Sequence, residues 1–417
     1  MRYLVIGNSY GGLAAAEAIR KRDEAGDIVV LSNERHEAYG RPLISYYLGG
    51  EVSGHSMYYR PSSFYQDYRV DVRINSPVKA ILAQDHEVVL ADDSHLCYDR
   101  VLVATGGKPF VPPMTGTDAR GVFTFTTWKD ADDIMTWLPK VQEAVVIGGG
   151  LIGLSAADAL RHRGGVQVSV VEMLPRVLGL ALDEEGSSRL ENRMQELGTR
   201  VITDDSVVEI VQNEEGAVDR VVLKSGREIF CQMVVIAIGV RPAVDLLKDS
   251  GIRLNRGVAV DEHMKTNLPD VYAAGDVAEA KDIINQDNRI IAILPVAYEH
   301  GMIAGANMAG DRLRYSGGIA MNSMPKFEMS VMTMGLTLDQ PDLEAVRRFH
   351  GANYRKFLFR EDRLVGAILI GDTQAAGVLT ALIKKQERLN RMMRERIIAG
   401  EYSSLMVEKK LAWNAVS

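Results

Sequence analysis

The sequence predicts an α/β protein: two doubly wound domains, each built on a parallel sheet, followed by a small α+β domain at the carboxyl end. Three observations carry this. A complete strand, glycine turn, helix, second strand and acid run from Glu143 to Glu172. The same pattern opens the chain between Arg2 and Glu34. Beyond about residue 318 it gives way to short strands around tight turns. Strands alternating with helices are the order that builds a parallel sheet, whereas a closing run of strands is not.

The stretch from Glu143 to Arg176 sets the pattern. Val145, Val146 and Ile147 read as a buried parallel strand, and Gly148, Gly150 and Gly153 supply GxGxxG where strand turns into helix. The first glycine permits the tight turn, the second lets a pyrophosphate approach bare backbone, and the third lets helix pack closely on strand. Phosphates then meet the free N–H groups of the helix's first turn, Leu151 and Ile152 included, at its positive end. Ala157 keeps the helix's packing face small. The second strand, 166–171, ends in Glu172, about 20 residues past the last glycine, where a carboxylate accepts from a ribose hydroxyl pair. That carboxylate repels a 2′-phosphate, so NAD is expected over NADP, with Arg176 near enough in sequence to blur the preference. A lone GxGxxG is weak evidence; its force here comes from the elements occurring in order.

The chain opens with the strand 2–6 and with Gly7-Asn8-Ser9-Tyr10-Gly11-Gly12, followed by a helix rich in alanine. Ser9 stands in the middle glycine position and is the smallest substitute that keeps the backbone approachable. The strand 28–31 leads to Glu34, the candidate ribose ligand of this first cradle. Two dinucleotides in one chain suggest electron transfer between them.

A chain of 417 residues exceeds what one core usually organises, so two or three domains are expected. A net charge of −7 gives no general attraction to nucleic acid or an anionic membrane. No apolar run reaches the roughly 18–20 residues that span a bilayer, and the chain starts directly with a strand, so the cytoplasm is the default expectation. Cys97 and Cys231 show no metal or redox spacing, and both read as buried, inert thiols. The eight histidines are scattered, and no bound metal is expected.

Next comes the proline-led segment 38–50, read as a connecting helix, then strands at 70–74, 78–82, 87–90 and 100–104. The last runs into Thr105-Gly106-Gly107, small groups at a strand's carboxyl end that a ligand can closely approach. Tyr98-Asp99-Arg100-Val101-Leu102-Val103-Ala104-Thr105-Gly106, with Lys108-Pro109, resembles the "ATG" segment of the two-dinucleotide flavoprotein reductases, the pyridine nucleotide-disulfide oxidoreductase superfamily. Thr266 to Asp276, TNLPDVYAAGD, is similar to that family's second FAD signature.

The resemblance implies that FAD sits in the first cradle and NAD(H) in the second. It places Asp276, after Gly275, on the ribityl chain of FAD. It also implies contributions from Ala104, Thr105, Gly106, Val78 and Ala297, the last in a helix start that faces the flavin ring. Ile236 to Pro242, with Gly239, resembles the strand leaving the NAD domain. The implied domains are 1–110 with 245–318 for FAD, 111–244 for NAD, 319–380 as an interface domain, and 381–417 as a helical tail. Past residue 318, Phe327–Gly335, Tyr354–Arg360 and Leu364–Ile370 read as alternating strands, and a basic helix is expected from Thr380 onward.

Disulfide-reducing relatives need a cysteine pair on the first helix after the FAD ribose acid, and coenzyme A-disulfide reductases and water-forming NADH oxidases need one. This chain has none there; the position corresponds to Pro42 or a neighbour. The thiol relay is therefore absent. Instead, Tyr39 to Ser45, YGRPLIS, resembles rubredoxin and ferredoxin reductases and the flavoprotein part of assimilatory nitrite reductases. In those relatives arginine and proline pack beside the flavin, which assigns Arg41 and Pro42 that place. Two departures are Tyr46, where many ferredoxin reductases carry lysine, and Ser155, where many relatives carry glutamate.

The implied activity is NADH:acceptor oxidoreduction through FAD. The acceptor or donor would be rubredoxin, a ferredoxin, or iron–sulfur subunits of a larger complex such as a 2-oxoacid oxidoreductase. A cysteine-independent NADH oxidase or peroxidase, or an NADH-sensing flavoprotein without catalytic turnover, are the other readings. A homo-oligomer or a subunit of a larger complex is expected, without nucleic acid or membrane as partner.

Overall fold

The computed structural model describes residues 1–402, and its chain divides into two compact units. The first comprises Met1–Phe110, Thr126–Asp133 and Gly239–Gly318; the second comprises Val111–Phe125, Ile134–Ile238 and the remainder from Ile319.

The first unit is built on a five-stranded parallel sheet. Its strands lie in the order Val271–Ala273, Arg100–Val103, Arg2–Ile6, Asp27–Leu31, Val70–Arg73. In chain order this reads 5-4-1-2-3, a doubly wound arrangement that reverses direction beside the first strand. Leu4 and Val5 are wholly buried, as are Val101 to Val103, because the sheet is covered on both faces. One cover is the helix Tyr10–Arg20, whose alanines pack against the helix Leu294–Met308. The two approach so closely that a Cβ on Gly301 would stand 2.0 Å from the carbonyl oxygen of Gly11, and one on Gly305 would stand 2.3 Å from that of Ala15. Side sheets complete the unit, among them Val78–Leu82 with Glu87–Leu90 and His95–Cys97.

The second unit repeats the parallel sheet with one substitution. Arg200–Ile202, Gln167–Val171, Glu143–Ile147 and Met233–Ile236 take the places 3-2-1-4. The fifth place is filled by Val122–Thr124, which precedes the cradle strand instead of following the fourth. A three-stranded antiparallel sheet spans Val207–Gln212, Val218–Leu223 and Glu228–Phe230.

The carboxyl-terminal sheet of this unit has five antiparallel strands in the order Met321–Lys326, Met329–Gly335, Arg363–Ile370, Asn353–Arg360, Glu344–His350. Its central strand does not alternate: Leu364 to Ile370 are all buried, because the helix Ala376–Lys385 packs on one face. Asp183 anchors this sheet to the helix Glu184–Glu196 that it caps. Its carboxylate accepts from Gly186 N–H at 3.1 Å, from the Tyr354 hydroxyl at 2.6 Å and from the fully buried Lys356 ammonium at 3.1 Å. Lys356 also reaches Asp339 at 3.1 Å and the Thr337 carbonyl at 2.9 Å.

Two expectations are corrected. The single helix from Thr380 is two helices, Ala376–Lys385 and Arg391–Ala399; the chain turns left-handed at Gln386, and Asn390 caps the second by accepting from Met393 N–H at 2.8 Å. Residues 403–417 of the expected tail lie outside the described residues. Cys97 is exposed, not buried, since it ends the edge strand of a small side sheet, where its thiol donates to Glu87 at 3.4 Å. Cys231 is buried, and burial pushes its thiol up to about 12. No helix among the described residues is long and apolar enough to cross a membrane, and these residues contain no cluster of side chains that would hold a metal ion.

Candidate functional site: two dinucleotide cradles

In the first cradle, Gly7 takes φ +128° at the end of the first strand, a conformation that L side chains rarely adopt. A Cβ there would stand 2.1 Å from the Ala104 carbonyl oxygen. A Cβ on Gly12 would fall 1.9 Å from the Gly7 carbonyl oxygen, so that glycine sets how near the helix comes to the strand. Ser9 precedes the helix in extended conformation, and its hydroxyl does not cap the helix. The first-turn N–H groups thus keep no side-chain competitor from that hydroxyl.

Around this turn the fold gathers residues distant in sequence. A Cβ on Gly11 would meet the Ala297 carbonyl oxygen at 3.2 Å, and one on Gly275 would meet the Ala297 Cβ at 3.5 Å. Asp276 follows Gly275 in a single 3-10 turn. No hydrogen bond satisfies its carboxylate among the described residues; burial holds it above the usual carboxylate range, partly offset by the Arg41 charge. Thr105 donates to the Ala243 carbonyl at 2.8 Å and Ala243 N–H donates to Gly106 at 2.9 Å. These bonds tie the 104–106 strand end to the returning chain, where Val240–Pro242 pairs with Gly107–Pro109. Gly239, expected with the second cradle, belongs to the first unit, at φ +126°.

Glu34 lies beyond the second strand. Its carboxylate accepts from the Tyr39 hydroxyl at 2.5 Å and from the Arg41 guanidinium. Arg41 and Pro42 form a 3-10 turn that leads into the helix Ile44–Gly49. Val78 begins a side-sheet strand; just before it, Asn75 and Ser76 donate to the carbonyls of Glu34 and Ser32 at 3.0 and 2.7 Å, which brings that strand's start beside the end of the second strand.

In the second cradle, Gly148 has φ +111°, and a Cβ there would stand 2.5 Å from the Ala237 carbonyl oxygen, the counterpart of Ala104. A Cβ on Gly153 would stand 1.9 Å from the Gly148 carbonyl oxygen. A Cβ on Gly150 would meet nothing within 4 Å. Gly150 is thus not required by packing, and the opening above it is where backbone stands bare. Leu151 and Ile152 form the first turn beyond it. Glu172 accepts from Gly149 N–H at 2.6 Å and Leu174 N–H at 2.8 Å, which fixes its carboxylate against the glycine turn.

Both cradles fit a dinucleotide. In the first, the Nδ2 of Asn8 is buried without a partner while its Oδ1 accepts from the Tyr65 hydroxyl at 2.9 Å, so an acceptor is missing inside the turn. In the second, the unfilled space over Gly150 faces the start of a 13-residue helix. Sequence reasoning missed Asn8, Tyr39, Tyr65 and Trp128. Asn8 carried a signal, being the residue inside the glycine turn, and Tyr39 opens the YGRPLIS segment, but Tyr65 and Trp128 lie in segments without a motif.

Residues 1–301 match the model of the pyridine nucleotide-disulphide oxidoreductase family, and residues 321–387 match the rubredoxin NAD+ reductase C-terminal domain. The chain is 30% identical over 404 residues to the NADH-dependent phenylglyoxylate dehydrogenase subunit epsilon of Aromatoleum evansii, covering 96% of this chain and 95% of that one. It is 29% identical over 388 residues to nitrite reductase [NAD(P)H] of Bacillus subtilis (strain 168), covering 92% of this chain but only 47% of that protein, so it spans about half its length. A solved NAD-dependent persulfide reductase from A. fulgidus superposes with a TM-score of 0.85 at 27% identity, over 93% of this chain and 77% of that one. The family is enzymatic and binds FAD and NAD(H). The chain therefore belongs to the pyridine nucleotide-disulphide oxidoreductases, as an NAD(H)-dependent flavoprotein oxidoreductase that carries the small terminal sheet of the rubredoxin reductases.

Proposed function

We propose that this protein exchanges electrons between NADH and a protein partner through FAD held in the first cradle. The partner would be rubredoxin, a ferredoxin or, the reading we favour, iron–sulfur subunits of a larger 2-oxoacid oxidoreductase. One observation carries it: neither of the chain's two thiols lies in the Tyr39–Gly49 segment, where a sulfur relay would have to stand. Cys97 ends a side-sheet strand, and Cys231 is wholly buried with its thiol pushed up to about 12. Neither is a ready thiolate. Similarity along the whole chain to a subunit of phenylglyoxylate dehydrogenase supports the larger assembly.

Bound FAD would supply the exchange between two-electron hydride chemistry and one-electron transfer. The chain's residues would hold and orient it. Gly7, Ser9, Gly11 and Gly12 would present backbone to the pyrophosphate, Glu34 would accept from ribose hydroxyls, and Asp276 would accept from the ribityl chain. Gly148, Gly150, Gly153 and Glu172 would hold NADH in the same manner.

The test is anaerobic. NADH should bleach the purified yellow protein within the time of one turnover, and an iron–sulfur partner recovered with it from the native source should restore the colour. Oxygen alone should restore it far more slowly. Rapid reoxidation by oxygen, with no redox protein recovered, would refute the proposal in favour of an oxidase.

A further inference from the structure

The stretch Thr126–Asp133 groups with the first unit, although the residues on either side of it, Val111–Phe125 and Ile134–Ile238, belong to the second. An aromatic box holds it there. Trp128 is 5% exposed and stacks on His36, with centroids 4.0 Å apart and 12° between the planes. Tyr39, Tyr47 and Tyr58 close around it edge-on at 5.5, 5.6 and 5.5 Å. The helix that Trp128 opens is capped reciprocally: Asp130 N–H donates to the Thr127 hydroxyl at 3.1 Å, and the Asp130 carboxylate accepts from Thr126 and Thr127 N–H at 2.7 and 3.0 Å. Asp132 accepts from the Tyr47 hydroxyl at 3.0 Å.

From this box a chain of hydrogen bonds runs to Glu34. Trp128 N–H donates to the Tyr39 hydroxyl at 3.0 Å, and that hydroxyl donates to Glu34 Oε2 at 2.5 Å. Arg41 donates to the Thr126 carbonyl at 3.0 Å, to the Tyr39 oxygen at 3.3 Å, and to Glu34 Oε1. An ionised carboxylate offers about four acceptor sites. Tyr39 and Arg41 take one on each oxygen, which leaves one on each. That is the demand of a vicinal diol, and the carboxylate is already held in place to meet it.

We propose that Tyr39 and Arg41 are positioning residues for the adenosine ribose of FAD, and that through them FAD occupancy is linked to the Trp128 segment. This rests on the FAD reading of the first cradle. Two hydroxyls donating to Glu34 further restrict the motion of its carboxylate, and with it that of the Tyr39 hydroxyl it accepts from and of the Trp128 N–H bonded behind that hydroxyl. The linkage is reciprocal: the order that FAD adds at Trp128 is returned as affinity for FAD.

The test follows exchange of the Trp128 amide proton in the full chain, FAD-free and FAD-loaded, with FAD affinity measured by quenching of flavin fluorescence. In the wild type, FAD should slow that exchange about tenfold or more. Tyr39→Phe, which removes a hydrogen bond to a charged acceptor, should weaken FAD binding about tenfold or more and abolish the slowing. A yellow wild-type protein whose Trp128 amide exchanges equally with and without FAD would overturn the linkage, and this comparison needs no variant to fold. Unchanged FAD affinity in a folded Tyr39→Phe would overturn the positioning role. A wild-type chain that takes up no FAD would instead overturn the reading of the cradle itself.

Discussion

Gly150 and Gly153 belong to one motif, yet the structure separates their roles. Replacing Gly153 by alanine puts a methyl 1.9 Å from the Gly148 carbonyl oxygen and 3.0 Å from its carbon, and both are backbone atoms that do not swing aside. The helix must retreat from its strand, and overpacking of this kind costs about 1–3 kcal/mol; with a backbone oxygen as the obstacle, the upper end is expected. Replacing Gly150 meets nothing within 4 Å, at φ −82° and ψ −178°, which any residue adopts. The gain from a less flexible unfolded chain, about 0.4–1 kcal/mol, is offset by alanine's weaker N-cap preference, so stability should change by less than about 0.5 kcal/mol. The methyl does occupy the space over the helix start. Losing one charge-assisted contact from phosphate to backbone N–H, about 1.5–3 kcal/mol, weakens NADH binding roughly 10- to 150-fold. Urea unfolding followed by circular dichroism, beside NADH titrations of both variants, measures the two effects. Wild-type NADH affinity in Gly150→Ala would refute the assignment of the second cradle. A Gly153→Ala protein that unfolds at the wild-type urea concentration would refute the packing argument.

Asp276→Leu removes a half-buried carboxylate that burial holds above its usual range, so the stability of the FAD-free chain should change by less than about 1 kcal/mol while FAD binding weakens at least tenfold; a thermal melt of the FAD-free protein and a flavin titration check both halves. His300 is 1% exposed with neither ring nitrogen bonded, and burial lowers it from the usual 6.5 to about 4. The unfolded chain therefore binds the proton first: the folded state loses stability as the pH falls below 6.5, and by about pH 4 the loss approaches about 3 kcal/mol. In His300→Leu the urea midpoint should be flatter across that window, and an unchanged slope would contradict the assignment. Asp183→Asn keeps a good N-cap but leaves the buried Lys356 with only half-exposed Asp339 as its carboxylate, which should cost about 3 kcal/mol in a urea melt. Burial would raise Asp183, but Tyr354, Lys356 and Gly186 overrule it and hold its carboxyl below the usual range. Its contribution is thus present above the ordinary carboxylate pKa and is lost as the pH falls through the depressed value.

Much of this protein was legible because local rules act within a few residues. The tight φ at Gly7 and Gly148, the packing glycines at 12 and 153, and the acids at 34 and 172 follow from a strand turning directly into a helix, and each lies within one strand–helix–strand repeat. The order of motifs likewise announced two wound sheets and a terminal antiparallel one. Other features misread local cues. Cys97 looked like core, but an edge strand exposes it. The segment Leu364–Ile370 read as one of several alternating strands, but as the central strand under a helix it is buried throughout. The basic stretch after Thr380 read as one helix because the turn at Gln386 leaves no proline or glycine signal.

By itself the sequence determined the two cradles, their order and the lack of a sulfur near Arg41, since these depend on residue type and short spacing. Only tertiary structure decided that Val122–Thr124 fills the fifth strand position of the second sheet, that Glu34 shares its carboxylate with Tyr39 and Arg41, and that Trp128 is gripped by rings from residues 36–58. The strand pairing and the Trp128 contacts join segments some 70 to 110 residues apart in the chain, and even the Glu34 contacts depend on how the 38–50 segment folds back. Periodicity does not encode such a pairing; it is settled by which surfaces fit once the sheets have formed.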